Sequence, residues 1–368
     1  MGASCLLRPG RIRNFHSLYA IELVCCSKTT EGQNEKGYRN VSGLILAGDL
    51  QSSVTVLGMA NVEGSSVLCS DSHGEPLAGT AKTGTTYVLL EWPHAWGRDV
   101  LDGSTFGAEL SAKLTQHLAN YDATLLLIRH PTREGRQIGD HHLYLVFADE
   151  QVTEVLHVTG PEALLELDLS GPGNNGASIR EKPMLLVCTH AKRDRCCAVK
   201  GRPVVRELAQ QYPAHVGNDV VWETSHIKGH RFAATLMLMP WAYSYGRMNV
   251  EAAHALVEHA FNGLYFVPGN RGRGTLSAPA QAAELAVATA LTKQGARLGI
   301  DQLQVTVVDS AEKTATVRVE DTHAQQSYDV MLEKRPVEGV IASCGDAPKT
   351  GATWQITCMR EALPQSNR

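Results

Sequence analysis

Residues 184–203 read MLLVCTHAKRDRCCAVKGRP and join a predicted strand to a predicted helix through a loop rich in cysteine and basic residues. The run 184–188 is apolar and ends in Cys188, which indicates a buried strand with a thiol at its carboxyl end. Pro203 suits the first turn of a helix over 203–211, and a short strand at 219–223 follows. The order strand, helix, strand predicts an α/β unit.

The segments on either side extend this pattern. A hairpin is predicted from 233–239 and 243–248, and a helix over 249–261 begins after Asn249, a good capping residue. The resulting rhythm is that of a thioredoxin-like fold. Upstream, strands at 86–92, 123–129 and 142–148, a helix at 107–119 and a short helix at 161–167 suggest a degenerate relative of the same unit.

Two linkers and a C-terminal region complete the predicted organisation. Gly- and Pro-rich stretches at 170–178 and 268–279 separate the units. A helix at 280–293 precedes strand-like runs at 303–309, 314–319, 327–332, 338–343 and 353–358. We therefore expect an α/β protein of tandem thioredoxin-like units, the first degenerate, plus a small α+β antiparallel sheet region. The predicted divisions are a variable tail at 1–60, then domains at 61–170, 179–268 and 275–368.

Composition excludes several classes of protein. The chain has 368 residues with 43% hydrophobic and 20% charged residues, so it can build more than one large core. A net charge of −4 argues against nucleic-acid binding, and no apolar run approaches the ~20 residues that span a bilayer. The run Leu18–Cys26 resembles a signal peptide, but Glu22 interrupts it. Met59 is an alternative initiator methionine. Nine irregularly spaced cysteines predict a reducing, cytoplasmic location rather than a disulfide scaffold.

The cysteines and histidines follow strands of one unit. The loop after Cys188 carries Cys196 and Cys197, and its basic residues and the following helix N-terminus favour thiolates. In WETSHIKGHRF (222–232), His226 and His230 are four residues apart, and Ile227 in place of glutamate excludes a zinc-protease motif. Small core cysteines and ordinary surface histidines are the alternatives. Together, however, two soft sulfurs and two imidazoles at one sheet edge suit zinc or an iron–sulfur cluster.

Several motifs in order resemble one known family. CTHAKRDRCCAVKGRP, VWETSHIKGHRFAATLMLMP, YSYGRM, CSDSHGEPLAGTA (69–81), EWPHAWGRDVL (91–101) and SCGDAP (343–348) resemble the sucrase/ferredoxin-like family, from about residue 66 to the end. Its members are thioredoxin-like ferredoxins, and those with bound clusters use two cysteines and two histidines. The resemblance implies a [2Fe–2S] cluster held by Cys188, Cys197, His226 and His230, with Cys196 as the alternative to Cys197. We interpret Cys69 and Cys344 as structural.

The implied ligand set predicts an electron-transfer protein rather than a substrate-converting enzyme. Two thiolates neutralise the oxidised cluster and two imidazoles add no charge, so we expect a raised potential and proton-coupled reduction. Basic residues near 192–206 favour an acidic redox partner protein. A zinc-binding structural or regulatory protein using the same ligands remains an alternative, as does a metal-free thiol oxidoreductase using Cys196 and Cys197. The electron donor and acceptor, any substrate and the oligomeric state stay open.

Overall fold

The computed structural model describes residues 68–72, 74–132, 139–213 and 219–362. The predicted tail at 1–60, with Cys5, Cys25 and Cys26, lies outside these ranges, as do the signal-like run and Met59. In the described part of the chain, no helix is both long and apolar enough to cross a bilayer.

The first unit is built on an apolar strand that is buried from both faces. Its elements are β1 Thr86–Glu91, α1 Ala108–Ala119, β2 Thr124–Arg129, β3 His141–Phe147 and β4 Val152–Val158. Strand β1 pairs in parallel with β2 and antiparallel with β3, which pairs antiparallel with β4. The strand order is therefore β2-β1-β3-β4. A 3-10 helix at Pro161–Glu166 and the two-residue β5 Ser178–Ile179 follow.

The second unit repeats this arrangement. It contains β6 Met184–Cys188, α2 Arg195–Gln211, β7 Val221–Thr224, β8 Leu236–Met239, β9 Tyr243–Tyr245 and α3 Val250–Phe261. Strand β6 is parallel to β7 and antiparallel to β8, which gives the order β7-β6-β8-β9. The two units thus share one topology, and the predicted tandem thioredoxin-like α/β fold is confirmed.

A short antiparallel pairing joins the two units. Ile128 and Arg129 of β2 pair with Thr224 and Glu223 of β7, so the strands form one ten-stranded sheet. At this junction Arg129 Nε donates to Glu223 Oε2 at 2.6 Å, and the guanidinium lies 4.1 Å from the ring centroid of Trp96. The predicted domain boundaries stay a prediction, because strand pairing runs across them.

The C-terminal region is a helix packed beside a separate four-stranded sheet. Its elements are α4 Ala278–Lys293, β11 Leu303–Ser310, β12 Thr314–Asp321, β13 Gln326–Val340 and β14 Lys349–Glu361. The strands pair antiparallel in chain order. Two strands predicted at 327–332 and 338–343 are one long strand with a register shift between Val337 and Val340. The sheet therefore has four strands, and the five-strand prediction was wrong.

Three further elements differ from those predicted from the sequence. Helix α2 begins at Arg195, eight residues before the predicted start, because Asp194 caps it by accepting a hydrogen bond from the Cys196 amide at 2.9 Å. Pro203 consequently lies inside the helix. The predicted linker at 268–279 contains β10 Asn270–Arg273, which pairs with β9 and extends the large sheet. Strand β4 was not predicted, since its sequence VTEVLHV mixes polar and apolar residues without a clear run.

The Arg129–Glu223 pair makes the junction testable. Changing Glu223→Ala leaves a largely buried guanidinium without its carboxylate, and also removes the acceptor of Thr189 Oγ1. We expect the free energy of unfolding in urea to fall by about 3–5 kcal/mol. The matched control is Glu109→Ala, which breaks the exposed Glu109–Lys113 pair and should leave the urea midpoint unchanged. Equal midpoints for both variants would contradict the junction's role.

Candidate metal centre

A glycine brings helix α2 against the end of strand β6. A Cβ atom on Gly201 would lie 2.2 Å from the carbonyl oxygen of Cys188, so only glycine permits this approach. Cys188 closes the strand and Cys197 lies in the first turn of the helix, and both side chains are 0% exposed. The contact therefore sets two thiols side by side at the carboxyl end of β6.

A second glycine shapes the histidine loop after β7. Gly229 has a φ of +84°, and a Cβ there would lie 2.6 Å from the guanidinium of Arg271. That guanidinium is buried and donates to the carbonyl of Lys228 and to Thr80. The guanidinium of Arg271 thus holds the loop in a conformation that turns His226 and His230 toward the same side.

Three of the four predicted ligands come together. One donor atom from each of Cys188, Cys197 and His226 lies within 4.8 Å of the other two. His230 lies outside this group, with its ring centroid 5.1 Å from that of His226 and its Nε2 2.8 Å from Ser343 Oγ. The Nδ1 atoms of both histidines are buried without a hydrogen-bond partner. Buried, unpartnered nitrogens beside buried thiols suit a soft metal or an iron–sulfur cluster.

The protonation of the group also suits a metal. A hydrogen bond from Cys197 lowers the pKa of Cys188 well below its usual range despite burial, and His226 acts in the same direction. The same bond, with burial, raises the pKa of Cys197. Burial lowers the pKa of His230, so its imidazole is neutral at physiological pH. A thiolate and neutral imidazoles are the forms that bind metals.

The neighbouring Cys196 belongs to a different cluster. Consecutive residues on a helix point about 100° apart. Cys196 Sγ accordingly lies 3.4 Å from Cys69 Sγ and 3.2 Å from Cys344 Sγ, in a group that does not include Cys188. Asp194 adds a carboxylate to this second group. Cys196 and Cys197 therefore contact different thiols, and we find all five of these described cysteines free of disulfides.

The family can be assigned once this geometry is known. A model of the family described as sucrase/ferredoxin-like matches residues 77–272, which is more than half of the chain. The chain belongs to the sucrase/ferredoxin-like family. Cys188, Cys197, His226 and His230 all lie inside the matched range, whereas Cys69 and Cys344 lie outside it.

One solved structure aligns with a small part of the chain. A variant of the thioredoxin-like [2Fe–2S] ferredoxin from Aquifex aeolicus aligns with 22% of the chain and 88% of its own length, at 17% identity and a TM-score of 0.19. No curated protein matches the chain.

A cavity of about 320 Å³ adjoins His226. Its lining includes Lys82, Arg98, Asp99, His190 and Lys228, so cations outnumber carboxylates. Burial and the nearby Lys228 lower the pKa of Lys82. Apolar residues that include Leu186 and Trp222 pack with Cys188 and Cys197 in one buried cluster. Within the described part of the protein, His226 is the predicted ligand that lines this cavity.

Several basic residues predicted to bind a partner are paired within the chain. Arg193 binds Asp99 at 3.2 Å and Lys200 binds Asp71 at 2.9 Å, whereas Lys192 and Arg202 are exposed. The acidic partner stays a prediction. The sequence indicated neither Asp194 nor Ser343, and the interpretation of Cys69 and Cys344 as structural stays a prediction. The contacts among the thiols of Cys69, Cys196 and Cys344 span 127 to 275 residues of sequence, so no local spacing indicates that they meet.

The close approach at Gly201 predicts a specific sensitivity. Gly201→Ala should push α2 away from Cys188 and lower the free energy of unfolding by about 1–3 kcal/mol, although alanine favours a helix. Urea denaturation measures the change. Gly171→Ala, whose Cβ meets nothing within 4 Å, is the control and should not destabilise. If Gly201→Ala were as stable as the parent, the helix would not lie this close to β6.

Proposed function

We propose that this protein is an iron–sulfur redox protein that transfers one electron at a time through a [2Fe–2S] cluster held by Cys188, Cys197, His226 and His230. The observation that carries the proposal is the convergence of buried Cys188 and Cys197 with half-buried His226, whose donor atoms lie within 4.8 Å of one another. Two sulfurs and imidazole nitrogens in an apolar surrounding are a ligand set used by iron–sulfur clusters. Membership of the sucrase/ferredoxin-like family supports the same function.

Two observations support His230 as the fourth ligand of the proposed cluster. Its ring lies next to that of His226, and its Nδ1 is buried without a partner, so this nitrogen is available as a ligand. With Nδ1 engaged, the proton of the neutral ring resides on Nε2 and is donated to Ser343 Oγ. Asp194 Oδ2, 3.7 Å from Nε2, favours a proton at that position. A hydrogen bond of this kind fixes the orientation and tautomer of a ligating histidine.

Cys197 is preferred to Cys196 because of the helix geometry. The Cys197 thiol hydrogen-bonds to Cys188, whereas the Cys196 thiol contacts Cys69 and Cys344. A ligand pair of Cys188 and Cys196 would require the first turn of α2 to rotate. The same separation argues against a thiol oxidoreductase that joins Cys196 to Cys197.

The ligand types define what the protein contributes to electron transfer. A [2Fe–2S] cluster, when bound, accepts and releases one electron. Two neutral imidazoles in place of thiolates leave the site less negative, so the protein makes electron uptake easier. The apolar residues around Cys188 and Cys197 exclude water. The outer nitrogens of the histidines hold protons that the site can release or take up, which couples protons to electrons.

Iron content separates the candidate ligands. We expect anaerobically purified protein to be reddish brown, with about two iron and two sulfide per chain, as the cluster formula requires. Cys188→Ser and Cys197→Ser should each lose most of this iron, whereas Cys196→Ser should keep it. Iron and sulfide assays with visible circular dichroism check the outcome.

The matched pair Cys196→Ser and Cys197→Ser makes the assay decisive, because the two residues are adjacent and equally buried. Loss of iron from Cys196→Ser alone would reverse the ligand assignment. A colourless parent protein with one zinc bound by Cys188 and Cys197 would reject the redox function.

Proton coupling predicts a pH-dependent potential. Reduction adds negative charge beside His230, so the reduced protein holds the Nε2 proton more tightly than the oxidised protein. Where the oxidised form has lost this proton and the reduced form keeps it, the potential should fall by about 59 mV per pH unit. Titration between about pH 6 and 10 should reach this region.

The double variant His226→Cys/His230→Cys provides the comparison. Thiolates replace both imidazoles, so the potential should fall and its pH dependence should flatten. A parent potential that is flat over the same range would contradict proton coupling without excluding a cluster.

A further inference from the structure

We propose that Cys69, Cys196, Cys344 and Asp194 form a second metal site, which binds one Zn²⁺. The site is separate from the proposed cluster and does not rest on it. Cys69 and Cys344 lie outside the range that the family model matches, so the match itself does not point to this site.

The three sulfurs are arranged as a face of a zinc coordination shell. The Cys69–Cys196, Cys196–Cys344 and Cys344–Cys69 Sγ distances are 3.4, 3.2 and 3.7 Å. A tetrahedral zinc with bonds of ~2.3 Å separates its sulfurs by about 3.8 Å. A disulfide needs a sulfur separation of ~2.05 Å and uses only two thiols. The near-equal triangle of three sulfurs is therefore closer to the metal arrangement.

Asp194 supplies the fourth ligand. One carboxylate oxygen of Asp194 lies within 4.8 Å of the sulfurs of Cys69, Cys196 and Cys344. Its Oδ1 accepts from the Cys196 amide at 2.9 Å and its Oδ2 from the Cys344 amide at 3.0 Å, which fixes the carboxylate in place. Each oxygen keeps a further lone pair. Since Asp194 is only 7% exposed, a cation compensates the cost of burying its charge.

The chemical types of the four ligands indicate which metal ion the site binds. Three soft thiolates exclude calcium and magnesium, which prefer oxygen ligands. A carboxylate beside three sulfurs suits zinc, which accepts both in a closed four-coordinate site. The amide of Cys69 donates to Cys344 Sγ at 3.4 Å, which helps to hold that sulfur in place.

The site would connect three remote parts of the chain. Cys69 lies in a 3-10 helix at Cys69–Asp71, Cys196 in the first turn of α2, and Cys344 in the loop between β13 and β14. The same loop carries Ser343, the hydrogen-bond partner of His230. Zinc would hold this loop over the histidine, so it would position a residue of the redox centre without taking part in electron transfer.

Metal analysis of the full-length protein tests the proposal. We expect one zinc per chain in addition to any iron, with about three sulfurs near 2.3 Å and one oxygen near 2.0–2.2 Å by zinc X-ray absorption. Cys344→Ser changes a residue in a partly exposed loop. Loss of a residue that only hydrogen-bonds to a metal ligand typically weakens metal binding by about 10–100-fold, and loss of a ligand should weaken zinc binding more than this. The iron content per chain should stay unchanged. Cys69→Ser should have the same effect and serves as the second variant.

Asp346→Asn is the matched control, because it removes an exposed carboxylate from the same loop and should keep the zinc. The proposal is overturned by an anaerobic protein without zinc, by zinc retained in both serine variants, or by copper in its place. A disulfide between two of the three cysteines under reducing conditions would also overturn it. Zinc without iron would support this site while rejecting the proposed cluster.

Discussion

The contact between helix α2 and the last residue of β6 determines where the chemistry of this protein takes place. Gly201 lets the helix backbone approach the Cys188 carbonyl, and that approach sets Cys197 beside Cys188. The thioredoxin-like topology supplies the rest, because it delivers the loop after β7 to the same sheet edge. A larger residue at position 201 would separate the two thiols before any ligand could join them.

Two adjacent cysteines with opposite surroundings follow from the same helix. Cys196 and Cys197 differ by about 100° around the helix axis, so Cys197 packs with Cys188 in the sheet core and Cys196 packs with Cys69 and Cys344. Asp194 stands between the two clusters. It caps the helix, orients the Cys344 amide and lies near His230 Nε2. One carboxylate thus links helix formation to the geometry of both thiol groups.

The sequence allowed much of the fold to be predicted because apolar runs such as MLLVC and ATLLLIR lie at strand centres, where periodicity is informative. The family resemblance likewise pointed to the segments that carry Cys188, His226 and His230. Local sequence patterns did not predict the features that depend on tertiary contacts. Helix α2 starts eight residues early because Asp194 caps it, and β10 forms in a Gly-rich stretch because β9 offers a free edge. The thiol group around Cys196 depends on residues 69 and 344, which no spacing rule connects.

The separation of Cys69 from Cys344 has a consequence for the newly made protein. Ribosomes add about 5–20 residues per second, so the 275 residues between these thiols take roughly 15–55 s to synthesise. Throughout that interval Cys69 has been synthesised while one of its partners does not yet exist. Biosynthesis, rather than the finished fold, is therefore the stage at which this thiol is most open to oxidation or to a wrong partner.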